Sequence, residues 1–279
     1  MKKKLPIIAI GCVLLIGFCI LLYPVVSAML AKMTQSITIS SYKSTVENLS
    51  KEEILTLKAK AQEYNESLYG VRLADPFAEG EREEDNKVPL LSVDDVMGYI
   101  EIAKIKVYIP IYYGSSEEVL QKGVGHLDNT SLPIGGNSTH TVLTGHRGLP
   151  SATLFTDLDQ LVEGDVFYLH ILNENLAYRV NQIKVVEPDE TEDLTIVQGK
   201  DYVTLVTCTP YGINTQRLLI RGERIPFVAE QEHFQLRRDL ASEVVIVPAA
   251  FLSILAVPIV LILLRKIKGR NEKNKRYKP

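Results

Sequence analysis

Three polar side chains suited to nucleophilic chemistry occur at the ends of apolar, β-branched runs. Cys208 closes one run, Arg217 stands nine residues later at the start of the next, and His146 follows a third. If the first two runs pair as strands, Arg217 lies close to Cys208, where a guanidinium favours the thiolate and donates hydrogen bonds to an oxyanion. Histidine can serve as the acid–base partner of such a thiol. The pattern therefore predicts a cysteine nucleophile assisted by arginine and histidine.

Each of these residues also has a purely structural interpretation. Cys12 and Cys19 lie in an apolar N-terminal run, so Cys208 is the single cysteine of the remaining chain and an internal disulfide is excluded there. Such a cysteine is a buried small hydrophobe, an intermolecular link or a reactive thiol. Arg217 alone is also compatible with a solvated charge at a strand edge, and His146 alone with an ordinary surface histidine.

Other ionisable residues give weaker patterns. His140 and His146 are six residues apart, so a straight strand places them on one face, and with Cys208 they form an alternative zinc site. No closely spaced ligand pair supports that alternative. Arg147 and Glu117 are predicted to be solvated charges. Thiol chemistry needs no metal or organic cofactor, and none is predicted.

The elements that must position these residues are short strands. From about 96 to 227 the chain consists of β-branched and aromatic runs separated by Gly, Pro and Asn, which is typical of an all-β barrel or sandwich. Strands are predicted at 97–102, 106–111, 140–144, 166–172, 177–186, 202–207 and 218–222, and short helices at 117–122 and 154–161. A turn at 173–175 is predicted to join two strands as a hairpin.

The segment before these strands has a different pattern. Apolar residues at helical spacing over 39–69, with a capping-box sequence at Ser50 and Glu53, predict one or two helices. The stretch 70–89 is too acidic and polar to pack, so it is predicted to be a surface loop or linker. A helical appendage is therefore expected before the β domain.

Two long uncharged runs indicate membrane-spanning helices. Residues 5–31 and 244–264 are each long enough, at about 1.5 Å per residue, to cross about 30 Å of hydrocarbon. The net charge of −3 conceals two basic ends around an acidic middle, so the positive-inside rule places both ends in the cytoplasm and the middle outside. A cleaved signal peptide remains an alternative for the first run, because Val-Ser-Ala at 26–28 resembles a processing site. The acidic exterior argues against nucleic acid as a partner.

The sequence thus divides into six segments. They are a signal-anchor or signal peptide (1–31), an extracellular helical appendage with a loop (32–95), the β domain (96–229), a juxtamembrane segment (230–243), a C-terminal transmembrane helix (244–264) and a basic cytoplasmic tail (265–279).

Taken together, these motifs resemble those of a known enzyme family. Thr-Leu-Val-Thr-Cys at 204–208, Arg217, and Thr-Gly-His-Arg-Gly at 144–148 resemble the active site of sortases. Asp75-Pro76-Phe77 and the second predicted span resemble the class C, pilin-polymerising sortases of Gram-positive bacteria. The resemblance implies a mainly β fold, namely a closed sortase-type β-barrel with an N-terminal helical appendage and two flanking transmembrane helices.

The same resemblance implies a role for each site residue. Cys208 is expected to be the nucleophile, His146 the acid–base, and Arg217 the group that binds the oxyanion and the substrate. Asp75 and Phe77 are expected to belong to a regulatory lid that occupies the substrate groove. No cofactor is implied.

The implied activity is that of a cysteine transpeptidase at the cell membrane, with its catalytic domain extracellular. It would cleave a Leu-Pro-x-Thr-Gly-like sorting signal between Thr and Gly and join the acyl group to a lysine amine of a pilin subunit. Its partners would be pilin precursors with C-terminal sorting signals. Two alternatives remain open: a housekeeping sortase that anchors surface proteins to peptidoglycan, and a non-enzymatic, membrane-anchored binding protein with an inert thiol.

Overall fold

The structure is a computed structural model of the 279-residue chain. It describes residues 5–68, Asp75, Phe77 and 91–228, with side chains from residue 16 onward. The predicted juxtamembrane segment, second span and basic tail, at 230–279, lie outside the described residues. So do most of the loop predicted at 70–89 and the lysines that precede the first span.

A closed eight-stranded barrel forms the body of the described chain, which confirms the predicted mainly β fold. The strands lie in the order β1-β2-β3-β4-β7-β8-β6-β5 around it. Their bounds are β1 Val96–Ile102, β2 Val107–Tyr113, β3 Val124–His126, β4 Thr139–Thr144, β5 Val166–Ile171, β6 Glu174–Val186, β7 Asp201–Thr209 and β8 Gln216–Ile225.

Two parallel pairs interrupt an otherwise antiparallel ladder. One of them joins β4 to β7, from Thr139 opposite Asp201 to Thr144 opposite Val206. Because these strands run in the same direction, their carboxyl ends meet at the same end of the barrel. β8 follows antiparallel to β7, so its amino end lies there as well.

Side chains alternate between the two faces of β4, β7 and β8. Leu143, Leu205 and Ile220 belong to the main core. The alternate residues build a second, smaller cluster on the opposite face of these strands. This outer cluster consists of Leu127, Val142, Val186, Leu194, Val206 and Leu219.

Two long helices precede the barrel, as the sequence predicts. α1 spans Leu5–Asn48 and α2 spans Lys51–Ser67, with the predicted capping box of Ser50 and Glu53 between them. α1 packs on the barrel through Ile39, Tyr42 and Val46, which are buried. It continues without a break across residue 31, and Ile16–Asn48 is, within the described part of the chain, a helix long and apolar enough to cross a membrane.

The Tyr42 hydroxyl attaches α1 to two neighbouring strands of the barrel, β1 and the end of β5. It donates a hydrogen bond to the Met97 carbonyl at 3.0 Å and accepts one from the Leu172 amide at 2.7 Å. Both bonds are buried, so they fix the helix at one height on the barrel wall.

Three local features differ from the sequence-based expectations. β3 was not predicted, because three residues are too few to show a period. The helix expected at 154–161 is mostly turns, with a 3₁₀ turn at Leu158–Gln160. The hairpin turn falls on Leu172 and Asn173, one residue early, because Ile171 pairs with Glu174.

The short helix at 117–122 is confirmed as α3, Glu117–Lys122.

Candidate active site

Cys208 and Arg217 are direct cross-strand partners. Cys208 is the penultimate residue of β7, and Arg217 lies opposite it on β8. Each residue is only 8% exposed. Directly opposite residues on neighbouring strands project to the same face. The pairing proposed from the sequence is therefore present in the fold.

His146 reaches the same place from β4. Beyond the end of that strand the parallel ladder continues, because the Gly145 amide donates to the Val206 carbonyl at 3.1 Å. Thr207 Oγ1 donates to the Gly145 carbonyl at 2.7 Å and secures the chain there. Continued two residues beyond Thr144 and Val206, the register brings His146 level with Cys208. The three predicted residues thus form a row at the ends of β4, β7 and β8.

Glu117 is a member of this site that sequence reasoning missed. Its carboxylate Oε2 lies 3.1 Å from His146 Nε2, and its side chain is exposed, as predicted. The pKa of Glu117 is lowered, first by a hydrogen bond from Gln121 and then by His146. Glu117 and His146 are 29 positions apart, so no local sequence pattern pairs them. Glu117 is the first residue of α3, and the position of this helix places its carboxylate beside His146.

Arg147 is not the solvated charge that the sequence predicts. Its side chain is only 8% exposed and forms an ion pair with Asp159. Arg147 Nη1 also donates to Thr209 Oγ1 at 3.2 Å, and the guanidinium lies 5.8 Å from the Tyr211 ring centroid. These contacts draw the charge inward. They tie the loop after His146 to the strand end that carries Cys208.

Asp75 and Phe77 lie on the row of three residues. Asp75 accepts two hydrogen bonds from Arg217, Nε to Oδ1 at 2.8 Å and Nη2 to Oδ2 at 2.6 Å. The Phe77 ring centroid lies 5.1 Å from the Arg217 guanidinium carbon and 5.8 Å from the ring centroid of His146. Phe77 also packs against the outer cluster. The two residues therefore cover the site and the apolar surface beside it.

The electrostatics of the thiol follow from this arrangement. Burial is the main cause that raises the pKa of Cys208 above its ordinary value. Arg217 opposes that shift, and Asp75 adds to it. With Asp75 in place, the guanidinium charge is shared with a carboxylate, so the neutral thiol is favoured.

The alternative zinc site is wrong. His140 Nδ1 lies 2.8 Å from the Thr195 carbonyl and its Nε2 lies 2.7 Å from Thr204 Oγ1, so both ring nitrogens have partners. Six residues of strand separate His140 from His146 by about 20 Å, far beyond the reach of shared metal ligands. Within the ranges that the structure describes, no group of three potential ligands is suited to a metal ion.

The chain is similar to known proteins over the barrel. A model of the sortase domain matches residues 100–225. Sortase D of Bacillus subtilis (strain 168) is 32% identical over 131 residues, which cover 46% of this chain and 63% of that relative. Sortase A of Bacillus anthracis is 29% identical over 135 residues, covering 48% of this chain and 62% of the relative. The chain thus spans somewhat less than two thirds of these curated relatives.

Solved structures match a larger part of the chain. Sortase C-1 of Streptococcus pneumoniae is 49% identical with a TM-score of 0.66, covering 68% of this chain and 99% of that one. The pilus-related sortase C of Group B Streptococcus is 49% identical with a TM-score of 0.64, covering 67% of this chain and 96% of that one. The chain belongs to the sortase family, and these neighbours place it with the class C sortases.

Proposed function

We propose that this chain is a cysteine transpeptidase that polymerises pilins at the outer face of the cell membrane. The observation that carries the proposal is the row of His146, Cys208 and Arg217 at the ends of three adjacent strands. The similarity to a pilus-related sortase C supports the choice of pilins as substrates.

The first half-reaction cleaves the sorting signal. The Cys208 thiolate attacks the carbonyl carbon between Thr and Gly of a Leu-Pro-x-Thr-Gly-like segment, and Arg217 donates hydrogen bonds to the oxyanion that forms. His146 gives its proton to the leaving glycine amine as the carbon–nitrogen bond breaks. The product is a thioester between Cys208 and the threonine acyl group.

The second half-reaction joins two subunits. A lysine amine of the next pilin attacks the thioester, His146 accepts the amine proton, and Cys208 leaves as a thiolate. An isopeptide bond results, and the enzyme returns to its starting state. Each step uses only side chains of this site, so no cofactor is required.

The outer cluster is the proposed floor of the substrate groove. It presents Val142, Val206 and Leu219 on the same face as the row of three residues, and Phe77 packs on it. An apolar ring occupies the surface on which we place the Leu and Pro side chains of a sorting signal. Substrate must therefore displace Phe77.

Asp75 and Phe77 act in this proposal as a lid that opens before catalysis. Asp75 occupies the two donor positions of Arg217 that are needed by the substrate, and it also disfavours the thiolate of Cys208. Lid opening therefore frees the oxyanion-binding group and activates the nucleophile in a single step.

Membrane attachment completes the proposal. The apolar part of α1 is the N-terminal anchor, and the charge pattern of the sequence places the barrel outside the cell. Pilin precursors tethered in the same membrane would meet the enzyme at a high effective concentration.

The test is reconstitution of the full chain with a pilin precursor in lipid vesicles. We expect covalent ladders of pilin with the native chain and none with Cys208→Ala, together with a trapped thioester on Cys208 during turnover. A native chain that forms no acyl-enzyme with any sorting peptide, and whose folded-state thiol resists labelling, would identify a binding protein instead. Conjugates to peptidoglycan stem peptides in place of ladders would identify a housekeeping sortase.

A further inference from the structure

α1 leaves the barrel beside the loop that follows His146. Ala31 still packs against the main core, and one turn earlier Ser27 Oγ lies 3.0 Å from the Pro150 carbonyl oxygen, while the carbonyls of its own helix lie at similar distances. Pro150 is only four residues beyond His146. The helix that anchors the protein therefore touches the edge of the candidate active site.

The length of α1 sets the height of that contact. The helix is continuous from Leu5, and from Leu5 to Ser27 it rises about 33 Å, close to the thickness of the hydrocarbon layer. If the helix enters the hydrocarbon at Leu5, Ser27 lies at its outer boundary. Pro150, in contact with Ser27, then lies at the same level. No flexible linker separates the barrel from the anchor.

Two uncharged loops meet at this edge. The first loop, after His146, is 148–151, and the second, after Cys208, is 211–213. We call these two loops together the rim. A side-chain carbon at Gly148 would lie 3.1 Å from the Tyr211 ring, so the two loops are in contact. The rim therefore extends from Pro150, which contacts the anchor helix, to Tyr211.

The rim exposes large apolar side chains. Tyr211 is 59% exposed and Ile213 is 68% exposed. The adjacent charge, Arg147, is turned inward to Asp159. Tyrosine at the edge of an uncharged surface is typical of the membrane–water interface.

We propose that the rim rests on the zwitterionic phospholipid headgroup layer, so that the active site opens at the membrane surface. This inference rests on the membrane anchor of the proposed function. It gives the barrel a fixed orientation, with its opposite end, near Val197, facing away from the lipid. A sorting signal joined to its own membrane span would then reach Cys208 as soon as it leaves the bilayer.

The chain contains no tryptophan, which makes a direct test possible. Ile213→Trp and the matched control Val197→Trp each introduce one tryptophan at an exposed aliphatic position. Each full-length variant is reconstituted in phosphatidylcholine nanodiscs, with or without bromine near the headgroup end of the acyl chains. We expect bromine to quench Ile213→Trp at least about twofold more strongly than Val197→Trp, with a blue-shifted emission for Ile213→Trp, because interfacial side chains lie within the headgroup and acyl boundary.

A third variant separates this inference from the anchor on which it rests. Val25→Trp places the probe in the apolar part of α1. If Val25→Trp is quenched while Ile213→Trp is not, the anchor stands and the proposed orientation is wrong. Equal quenching of Ile213→Trp and Val197→Trp also overturns it. If Val25→Trp escapes quenching, the anchor and the inference both fail.

Discussion

Asp75 holds Arg217 through two hydrogen bonds, at 2.8 and 2.6 Å, across 142 residues of sequence. Both side chains are about nine-tenths buried, so solvent screens this pair less than a surface salt bridge. Arg217 is in turn the cross-strand partner of Cys208. The Asp75 carboxylate therefore acts on the thiol in two ways, directly through its charge and by binding Arg217.

Replacing Asp75 with Ala is expected to accelerate alkylation of Cys208. Asp75 raises the pKa of Cys208, and Arg217 lowers it, so removal of the carboxylate increases the thiolate fraction near neutral pH. Loss of the ion pair also uncovers the site. The rate of labelling with a thiol reagent, measured on the folded chain between pH 6 and 9, should rise and its midpoint should move to lower pH.

Two comparisons sharpen that experiment. Phe77→Ala should also speed labelling but should shift the midpoint less, because it removes cover and leaves the carboxylate in place. Glu163→Ala is the control, because Glu163 is exposed and adjoins Gly164, which bonds Val180 at the level of Val203 and not of Cys208. It removes an equal charge away from the site and should leave labelling unchanged. Unaltered labelling in a folded Asp75→Ala, Phe77→Ala double variant would make this segment a simple connector.

Arg217→Lys is expected to lower kcat by on the order of a hundredfold, the usual cost of an oxyanion donor. Lysine keeps the positive charge but loses the planar fork that binds two oxygens at once. The matched control is Arg221→Lys, four residues further along the same strand, where the guanidinium lies over Tyr202. Steady-state kinetics with a sorting peptide measure both. Near-native turnover of Arg217→Lys would show that only the charge matters.

Much of this site was predictable because it depends on strand ends. Cys208 and Arg217 flank one loop, so the hairpin that this loop closes brings them together, and this contact does not depend on the rest of the fold. His146 reaches them only through the parallel pairing of β4 with β7, which connects residues 62 apart and leaves no local signature. Its residue type and its place at the end of a run made it a candidate acid–base, but its position beside Cys208 could not be predicted from spacing.

The contacts of Arg147 and Glu117 that the sequence does not predict have a common physical origin. The sequence predicts solvated charges at Arg147 and Glu117, because charged residues in short polar segments usually are solvated, and only the exposure of Glu117 is confirmed. Their environments come from distant parts of the chain: Asp159 and Thr209 surround Arg147, and α3 carries Glu117 to His146. Local pattern cannot reveal partners of this kind.

Glu117→Gln is expected to lower kcat/KM for a sorting peptide by no more than about fivefold, since so exposed a contact contributes at most about 1 kcal/mol. The carboxylate Oε2 lies 3.1 Å from His146 Nε2 and helps to orient the ring, whereas the amide offers only a neutral hydrogen-bond acceptor there. The effect should shrink further at high salt.

Glu118→Gln is the control for this pair. It removes the same charge from the adjacent position, where the carboxylate binds Lys122 at 2.6 Å. Its kcat/KM should match that of the native chain. A native kcat/KM in Glu117→Gln would show that the contact with His146 does not influence catalysis.

Two buried histidines are expected to make the barrel sensitive to acid. Burial is the main cause that lowers the pKa of His126 and of His140 to about 4. In the unfolded chain a histidine titrates near its ordinary value of about 6.5. Between these values the unfolded state binds more protons, so the stabilisation present above pH 6.5 is lost as the pH falls towards 4. At pH 5 each residue should cost on the order of 2 kcal/mol of unfolding free energy.

His140→Gln tests this directly through the slope of stability against pH. Urea unfolding of the full chain at several pH values between 4.5 and 7 should show a difference in bound protons that is smaller by about one in the variant, even if its stability at pH 7 is lower. Thr204→Val is the matched control, because it removes the hydrogen-bond partner of His140 Nε2 and keeps the titrating ring. It should lower stability at pH 7 while it largely retains the native slope. If His140→Gln instead preserves the native slope, the acid sensitivity arises from other groups, and His140 is not held neutral by its burial.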